Sequence, residues 1–200
     1  EERKQIRKAI ALHKEVTGQE PKGWYTGRCS MNTVNLVSSE KIFKYISDAY
    51  DDDLPYWRSH KNLDQLIIPY TLDVNDMRFA SLQGFNSGDQ FFTYLKDTFD
   101  CLYEEGRNGR AKIMNIGLHC RLAGRPGRAQ ALRRFIDYCR DHEKVWFPKR
   151  EEIADFWIEN NPPLPLARPS QMVRSEFLNA FGGIFENSRW VAERAFELEL

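Results

Sequence analysis

Three short apolar and aromatic runs, each closing on a polar residue, a glycine or a proline, limit most strongly what this chain can fold into. They are Gly23-Trp24-Tyr25-Thr26-Gly27, Phe43-Lys44-Tyr45-Ile46-Ser47 and Leu66-Ile67-Ile68-Pro69. Residues 112–118 and 144–147 read as two more strands of the same kind. Stretches of helical period lie between and after them. Strands alternating with helices indicate an α/β fold with parallel strands, because parallel neighbours need a crossover that is usually helical. Five strands are too few to close an eight-stranded barrel, so half of a (β/α) barrel is the expected architecture.

The helices are read over 6–16, with Gly18 just past the end, over 32–38 with Ser30 as cap, and over 90–105, 129–141 and 149–159. The helix at 90–105 is the clearest. Phe91, Phe92, Leu95, Phe99, Leu102 and Tyr103 form one wide apolar stripe, and Gly106 is expected to end it. The polar loop 71–87 carries Asp73, Asn75, Asp76, Arg78 and Phe79. Loops longer than about 12–15 residues are usually functional or disordered, and this composition points to function. Prolines 162, 163, 165 and 169 mark residues 161–169 as a linker. Beyond it, Ser170 caps a helix to Phe181, Gly182-Gly183 breaks it, and Ser188 caps a second from Trp190. The domains are therefore read as 1–160, α/β; 161–169, linker; and 170–200, a short all-α tail. The tail's Phe177, Phe181, Ile184, Phe185, Trp190, Val191 and Phe196 look like one wall of a helical core, and few contacts with the α/β unit are expected.

Charge excludes some partners. The 29 basic and 29 acidic side chains cancel, so bulk charge would not hold the chain to nucleic acid or anionic lipid. No apolar run approaches the roughly 18 residues of a membrane span. The four cysteines form no CxxC pair and the four histidines no HxxxH or HExxH pattern, so reduced thiols, a cytoplasmic setting and no metal or other cofactor are expected. Glu1-Glu2-Arg3-Lys4 is not a signal peptide and reads like the interior of a longer protein.

In parallel barrels, functional side chains gather at the C-terminal ends of strands. Arg28, Asp48, Asp73 and His119 stand there, on four different strands. Each alone has an ordinary explanation: a surface charge, a turn residue, a bond to its own loop, a structural histidine. Their shared placement makes them candidates. Gly117-Leu118-His119-Cys120-Arg121-Leu122-Ala123-Gly124-Arg125-Pro126-Gly127-Arg128 is the densest unusual stretch. It offers His119 as a general acid or base, with Arg125 and Arg128 expected to pair with Asp51, Asp52 and Asp53. It lacks GK[ST], so it is no phosphate loop. Tyr56, Trp57 and Tyr70 are read either as lining for a planar ligand or as core.

Gly23-Trp24-Tyr25-Thr26-Gly27-Arg28, Ser47-Asp48-Ala49-Tyr50-Asp51-Asp52-Asp53-Leu54-Pro55-Tyr56-Trp57, Ile68-Pro69-Tyr70-Thr71-Leu72-Asp73-Val74-Asn75-Asp76-Met77-Arg78-Phe79 and Ile116-Gly117-Leu118-His119-Cys120-Arg121-Leu122, with Gly124-Arg125-Pro126-Gly127-Arg128, together resemble the allantoinases of the polysaccharide-deacetylase superfamily. The resemblance covers residues 1–160. It implies the C-terminal part of a distorted, NodB-like (β/α) barrel. It also implies hydrolysis of the cyclic amide of allantoin, a small molecule, to allantoate in urate breakdown. On this resemblance His119 protonates the leaving nitrogen, Arg28 stabilises developing negative charge or orients the substrate, and Asp48 orients Arg28 or another donor. Asp73 and Asn75 bond the ureido groups, and Trp57 joins them in substrate binding. Deacetylases of the superfamily carry paired aspartates and an HxxxH motif for a metal, and neither occurs before Gly23. The allantoinase branch is expected to work without a metal. The general base is expected upstream, and the chain alone is expected to be inactive, with open strand edges that favour a homo-oligomer.

Phe177-Leu178-Asn179-Ala180-Phe181-Gly182-Gly183-Ile184-Phe185-Glu186-Asn187-Ser188-Arg189-Trp190-Val191-Ala192-Glu193-Arg194-Ala195 resembles the opening helices of ureidoimidazoline (OHCU) decarboxylase, with Ser188-Arg189-Trp190 where that family usually has Ser-Pro-Trp. Two other functional readings stand beside the allantoinase one. One is a carbohydrate N-deacetylase of the same superfamily, and the other a non-catalytic scaffold fragment.

Overall fold

The computed structural model describes residues 1–60, 63–163, 169, 172–184 and 188–198. They form two compact units, Glu1–Pro162 and Pro163–Leu200. The first contains a four-stranded sheet of β1 (Gly23–Trp24), β2 (Tyr45–Ile46), β3 (Tyr56–His60) and β4 (Leu63–Ile67), in the order β1-β2-β4-β3. β1, β2 and β4 run parallel, with Gly23 opposite Tyr45 and Tyr45 opposite Leu66. Beyond the strand ends the same ladder continues: Ser47 N–H donates to Trp24 O (2.8 Å), Ile68 N–H to Ile46 O (3.0 Å) and Tyr70 N–H to Ala49 O (2.8 Å).

Strand alternation assigns the two faces of the sheet. Ile46 and Ile67 pack on Ile6 and Val37, from α1 (Glu2–Thr17) and α2 (Thr33–Ser38). Leu66 and Ile68 point the other way, onto Ala154 of α6 (Arg150–Asn160). Burial on both faces is why Leu66-Ile67-Ile68 is an unbroken apolar run. A second core joins α3 (Gly88–Arg107) to α5 (Pro126–Arg140), with the short α4 (Cys120–Ala123) between them in sequence. Phe91, Leu95 and Phe99 face Ala131, Phe135 and Cys139, two rows at four-residue spacing. Ser87 Oγ accepts from Gln90 N–H at the start of α3, and Pro126 opens α5. A Cβ on Gly88 would lie 2.9 Å from Gly127 O, so glycine lets these two helix starts meet.

The expected α/β class and the helices are present, and the differences are local. β3 was not expected. Its five residues pair antiparallel with β4, Tyr56 opposite Ile67, which makes the sheet mixed. The expected strand at 112–118 contributes only an isolated bridge, Gly117 with Asn75. Asn115 Nδ2 takes Pro69 O (3.0 Å), and Pro69 has no N–H to offer a ladder. The segment 144–147 forms no strand: Lys144 has φ 60, and Trp146 and Phe147 are each 56% exposed. Gly106 lies inside α3, which is capped by Asn108. Asn32, with Ser30 Oγ accepting its N–H, is the N-cap of α2.

In the second unit, α7 (Arg174–Phe181) and α8 (Arg189–Glu197) pack on each other through Phe177, Leu178 and Ala192, flanked by Phe181 and Phe196. Trp190 and Ile184 are exposed. The middle of the expected linker, 164–168, and Ser170, Gln171 and Phe185 lie outside the described residues. Among the described residues no helix is long and apolar enough to cross a membrane.

Cys29, Cys101 and Cys120 are exposed, whereas Cys139 is buried. Burial pushes the Cys139 thiol up to about 11. At pH 8 the folded protein should therefore show three thiols that react promptly with an aromatic disulfide reagent and a fourth that reacts only on unfolding. Four prompt thiols would contradict this packing of α3 on α5.

Candidate active site

The C-terminal ends of β1, β2 and β4 and the bridge at Gly117 bring four chain segments together. Asp48, 7% exposed, follows β2. Its carboxylate accepts from Thr26 N–H (2.9 Å) and Gly27 N–H (3.0 Å), fixing the turn that leaves β1. Gly27 sits at φ 74, a conformation glycine adopts without strain. Arg28, one residue on, is exposed and makes no hydrogen bond or ion pair among the described residues. Asp48 thus fixes the backbone turn that Arg28 follows, and makes no bond to Arg28 itself.

Tyr25, Tyr50 and Tyr70 gather at this mouth. The Tyr25 and Tyr70 rings are 4.8 Å apart, and the Tyr25 and Tyr50 hydroxyls 3.3 Å. Burial raises the Tyr25 and Tyr70 phenols above the usual range, so both stay protonated at neutral pH. Asn75, buried, donates from Nδ2 to Tyr70 Oη (3.2 Å) and accepts from Met77 N–H (2.9 Å). A Cβ on Gly117 would lie 2.2 Å from Asn75 Nδ2 and 2.4 Å from Tyr70 Oη. Only glycine fits there without moving both.

His119 closes the bridge segment and caps α4. Its Nδ1 lies 2.6 Å from Asp76 Oδ1, and its own N–H donates to Asp76 Oδ2 (2.7 Å). Ala123 N–H donates to the same oxygen (3.0 Å). Asp76 is wholly buried. In the tautomer that donates Nδ1–H to Asp76 Oδ1, Nε2 is left for chemistry. This is the arrangement of a general acid–base histidine held by a carboxylate. Asp76 stood in the polar loop read from sequence but was not singled out. Its signal was spacing: it is three residues beyond Asp73 in a loop too long for a mere connection.

Arg150 was also missed. It opens α6 yet reaches back to the mouth, donating to Ser47 Oγ (2.9 Å), Asn115 Oδ1 (2.6 Å) and Ile68 O (3.4 Å). Its signal was a cation in the first helical turn, against the helix dipole.

The other candidates are dispersed. Asp73 is exposed; it accepts from Tyr94 Oη and lies 3.7 Å from Arg78. With Tyr50, Asp52, Tyr70, Thr98 and Asn115, Asp73 lines a cavity of 560 Å³. His119 is not part of its wall. Trp57 is set apart from the mouth: it packs with Leu66, Ile68 and Ala154, and its Nε1 donates to Asn161 O (2.6 Å). Its period-2 position on β3 sends it to the α6 face, where the core claims it. Arg125 and Arg128 do not pair with the acidic loop. Arg128 lies over the Phe79 ring at 4.2 Å, and Lys112 holds Asp53 (3.2 Å) instead. Among the described residues no three His, Cys, Asp or Glu side chains converge, so these residues do not on their own fit a metal.

No family model matches the chain. A protein of Schizosaccharomyces pombe described as "Putative polysaccharide deacetylase" is 45% identical over 160 residues, covering 71% of this chain and 49% of its own length. Two solved structures align with TM-scores of 0.78, each covering 81% of this chain and 54% of the other: a "probable Polysaccharide deacetylase" of Pseudomonas aeruginosa PAO1 at 56% identity, and "Puue Allantoinase" at 53%. A third, a "putative polysaccharide deacetylase" of Mycobacterium smegmatis, aligns at 0.70 and 25% identity, covering 84% of this chain and 60% of its own. The chain has the polysaccharide-deacetylase fold. It spans about half the length of the curated relative it matches.

The buried carboxylate can be tested directly. Asp76→Ala strips three N–H donors of their acceptor and should lower unfolding stability by about 3 kcal/mol. Urea unfolding measures it, and a loss under about 0.5 kcal/mol would show that Asp76 does not anchor the site.

Proposed function

We propose that a protein carrying this chain hydrolyses the cyclic amide of allantoin to allantoate, and that this chain supplies the acid side of the active site. The observation that carries the proposal is the His119 imidazole held by buried Asp76, a bond that joins two of the four motif segments. The 53% identity to a structure called an allantoinase supports it. In this reaction water adds to the ring carbonyl and gives a proton to the base, the ring C–N bond breaks, and the leaving nitrogen takes a proton from Nε2 of the His119 imidazolium, which is left as the neutral Nδ1–H imidazole. Asp76 keeps the Nδ1 proton bond throughout and stabilises the imidazolium form. Arg28, uncommitted and exposed, faces the developing oxyanion or orients the ring, with Asp48 fixing its turn. Asn75 and Asp73 offer bonds to the ureido groups. The base that activates water comes from residues outside this chain. The protein is cytoplasmic and self-associates through the open edges at β1 and β3.

A carbohydrate N-deacetylase is the second reading, favoured by the names of three of the four proteins described above. A non-catalytic scaffold is the third. We further propose that α7 and α8, which already pack on a core of their own, open a decarboxylase-like helical domain. One set of assays separates these readings. A protein carrying this chain and its preceding strands is offered allantoin or acetylated chitooligosaccharides, with and without chelator, and then OHCU. Allantoate formation that chelator leaves intact is expected, with carbon dioxide released from OHCU. Acetate from chitooligosaccharides, abolished by chelator, would install the second reading; no turnover of either would leave the scaffold. No carbon dioxide would remove the decarboxylase assignment.

In the same protein His119→Ala should lower kcat by roughly 10²–10⁴-fold. Its melting temperature is measured alongside. A folded variant with near-normal turnover would remove His119 from the mechanism.

A further inference from the structure

Arg150 binds three of the segments that form the mouth. One nitrogen, Nη1, donates to Ser47 Oγ past β2 (2.9 Å) and to Ile68 O past β4 (3.4 Å). The other, Nη2, donates to Asn115 Oδ1 (2.6 Å), while Asn115 Nδ2 donates to Pro69 O (3.0 Å). The guanidinium lies 5.8 Å from the centre of the Tyr70 ring. Tyr70 Oη in turn accepts from Asn75, whose backbone pairs with Gly117 two residues before His119.

The helix dipole and burial both oppose a cation here. Arg150 is the first residue of α6, where the helix dipole is positive. It is half-buried, and burial pulls its affinity for the proton below that of a free guanidinium. Among the described residues no carboxylate lies within ion-pair distance of it, and its partners are a hydroxyl, an amide oxygen and a carbonyl. Glu151 and Glu152 follow it on α6. Glu151 is occupied by Lys22 (2.6 Å) and Lys44 (3.2 Å), and Glu152 by the Lys149 N–H. Structural arginines that only tie loops together are ordinarily matched by a carboxylate.

We propose that Arg150 is a positioning residue for the hydrolysis. Its planar fork sets the separation of the β2 and β4 exits and the tilt of Tyr70, and through Tyr70 and Asn75 the placement of the His119 segment. Its charge has no carboxylate partner among the described residues. The inference rests on the allantoin reading. Lysine cannot replace arginine here, because a single ammonium cannot hold Ser47 and Asn115 as a fork does.

The test uses a protein carrying this chain with its preceding strands, as wild type, Arg150→Lys and Arg150→Ala, with allantoin as substrate. Arg150→Lys should lower kcat about 10–100-fold while KM stays within about threefold, since misplacement of reacting groups is felt in the transition state. Arg150→Ala should fall at least as far. Millimolar methylguanidinium should then restore its kcat about tenfold, which general destabilisation would not allow. Circular dichroism and melting establish that each variant is folded, and if Arg150→Ala is not, Arg150→Lys alone decides. Wild-type kcat in a folded Arg150→Lys, a loss confined to KM, or no rescue of a folded Arg150→Ala overturns the proposal alone. No turnover by the wild type overturns the allantoin reading and this inference together.

Discussion

The buried carboxylate of Asp76 is the constraint on which the rest of the site depends. A carboxylate wholly out of water is costly unless its oxygens are filled with donors. Here three N–H groups fill them: two from His119 and one from Ala123. The same bonds attach the turn at Asp76–Ala80 to α4, a helix of four residues that could not stand alone. Orientation of the imidazole and attachment of α4 are therefore one event. Gly117 belongs to the same block, since any side chain there would strike Asn75 and Tyr70.

A second constraint follows from Pro69. It has no N–H to offer a neighbour, although Tyr70 beyond it still pairs with Ala49, and the chain at 115–117 is held by side chains and by the loop 74–76 rather than by a strand. Asn115 and Arg150 do the work of the missing ladder. A site framed by backbone bonds tolerates substitution of its side chains. One framed by an amide and a guanidinium does not, which is why Arg150, remote in sequence from every motif, matters at the mouth.

These two constraints explain what sequence could and could not disclose. The α/β class, the helices over α1, α3, α5 and α6 and the strands β1, β2 and β4 announce themselves through periodicity, which depends only on neighbours in the chain. The segment 112–118 has the composition of a strand, yet its partner is spent on Asn115, a tertiary fact. β3 was hidden because Tyr56-Trp57-Arg58-Ser59-His60 is short and follows a proline, and its pairing with β4 is what makes it a strand. Of the site, His119 was legible as a histidine at a strand-like end among glycines. Asp76 and Arg150 were not, because each is defined by partners 43 and 35 residues or more away. Trp57 was drawn into the site by composition, and its alternation on β3 sends it to the α6 core.

Charge around the mouth runs in a consistent direction. Arg150 lies beneath it. Asp51, Asp52, Asp53 and Asp73 line the 560 Å³ cavity beside it, with Lys112 on Asp53 and Arg78 3.7 Å from Asp73 as the cations paired with them among the described residues. That volume is within the range of small-molecule sites and small for an extended polymer. On the allantoin reading a neutral ring becomes an anion, since amide hydrolysis leaves a carboxylate. A positive centre beneath the reacting carbonyl favours the charge as it forms. An acidic rim disfavours keeping it once formed. The same acidic rim offers acceptors to the N–H groups of a ureido compound, which is neutral and rich in donors. A site of this polarity takes in an uncharged amide more readily than it retains a carboxylate, which is the direction a hydrolase needs.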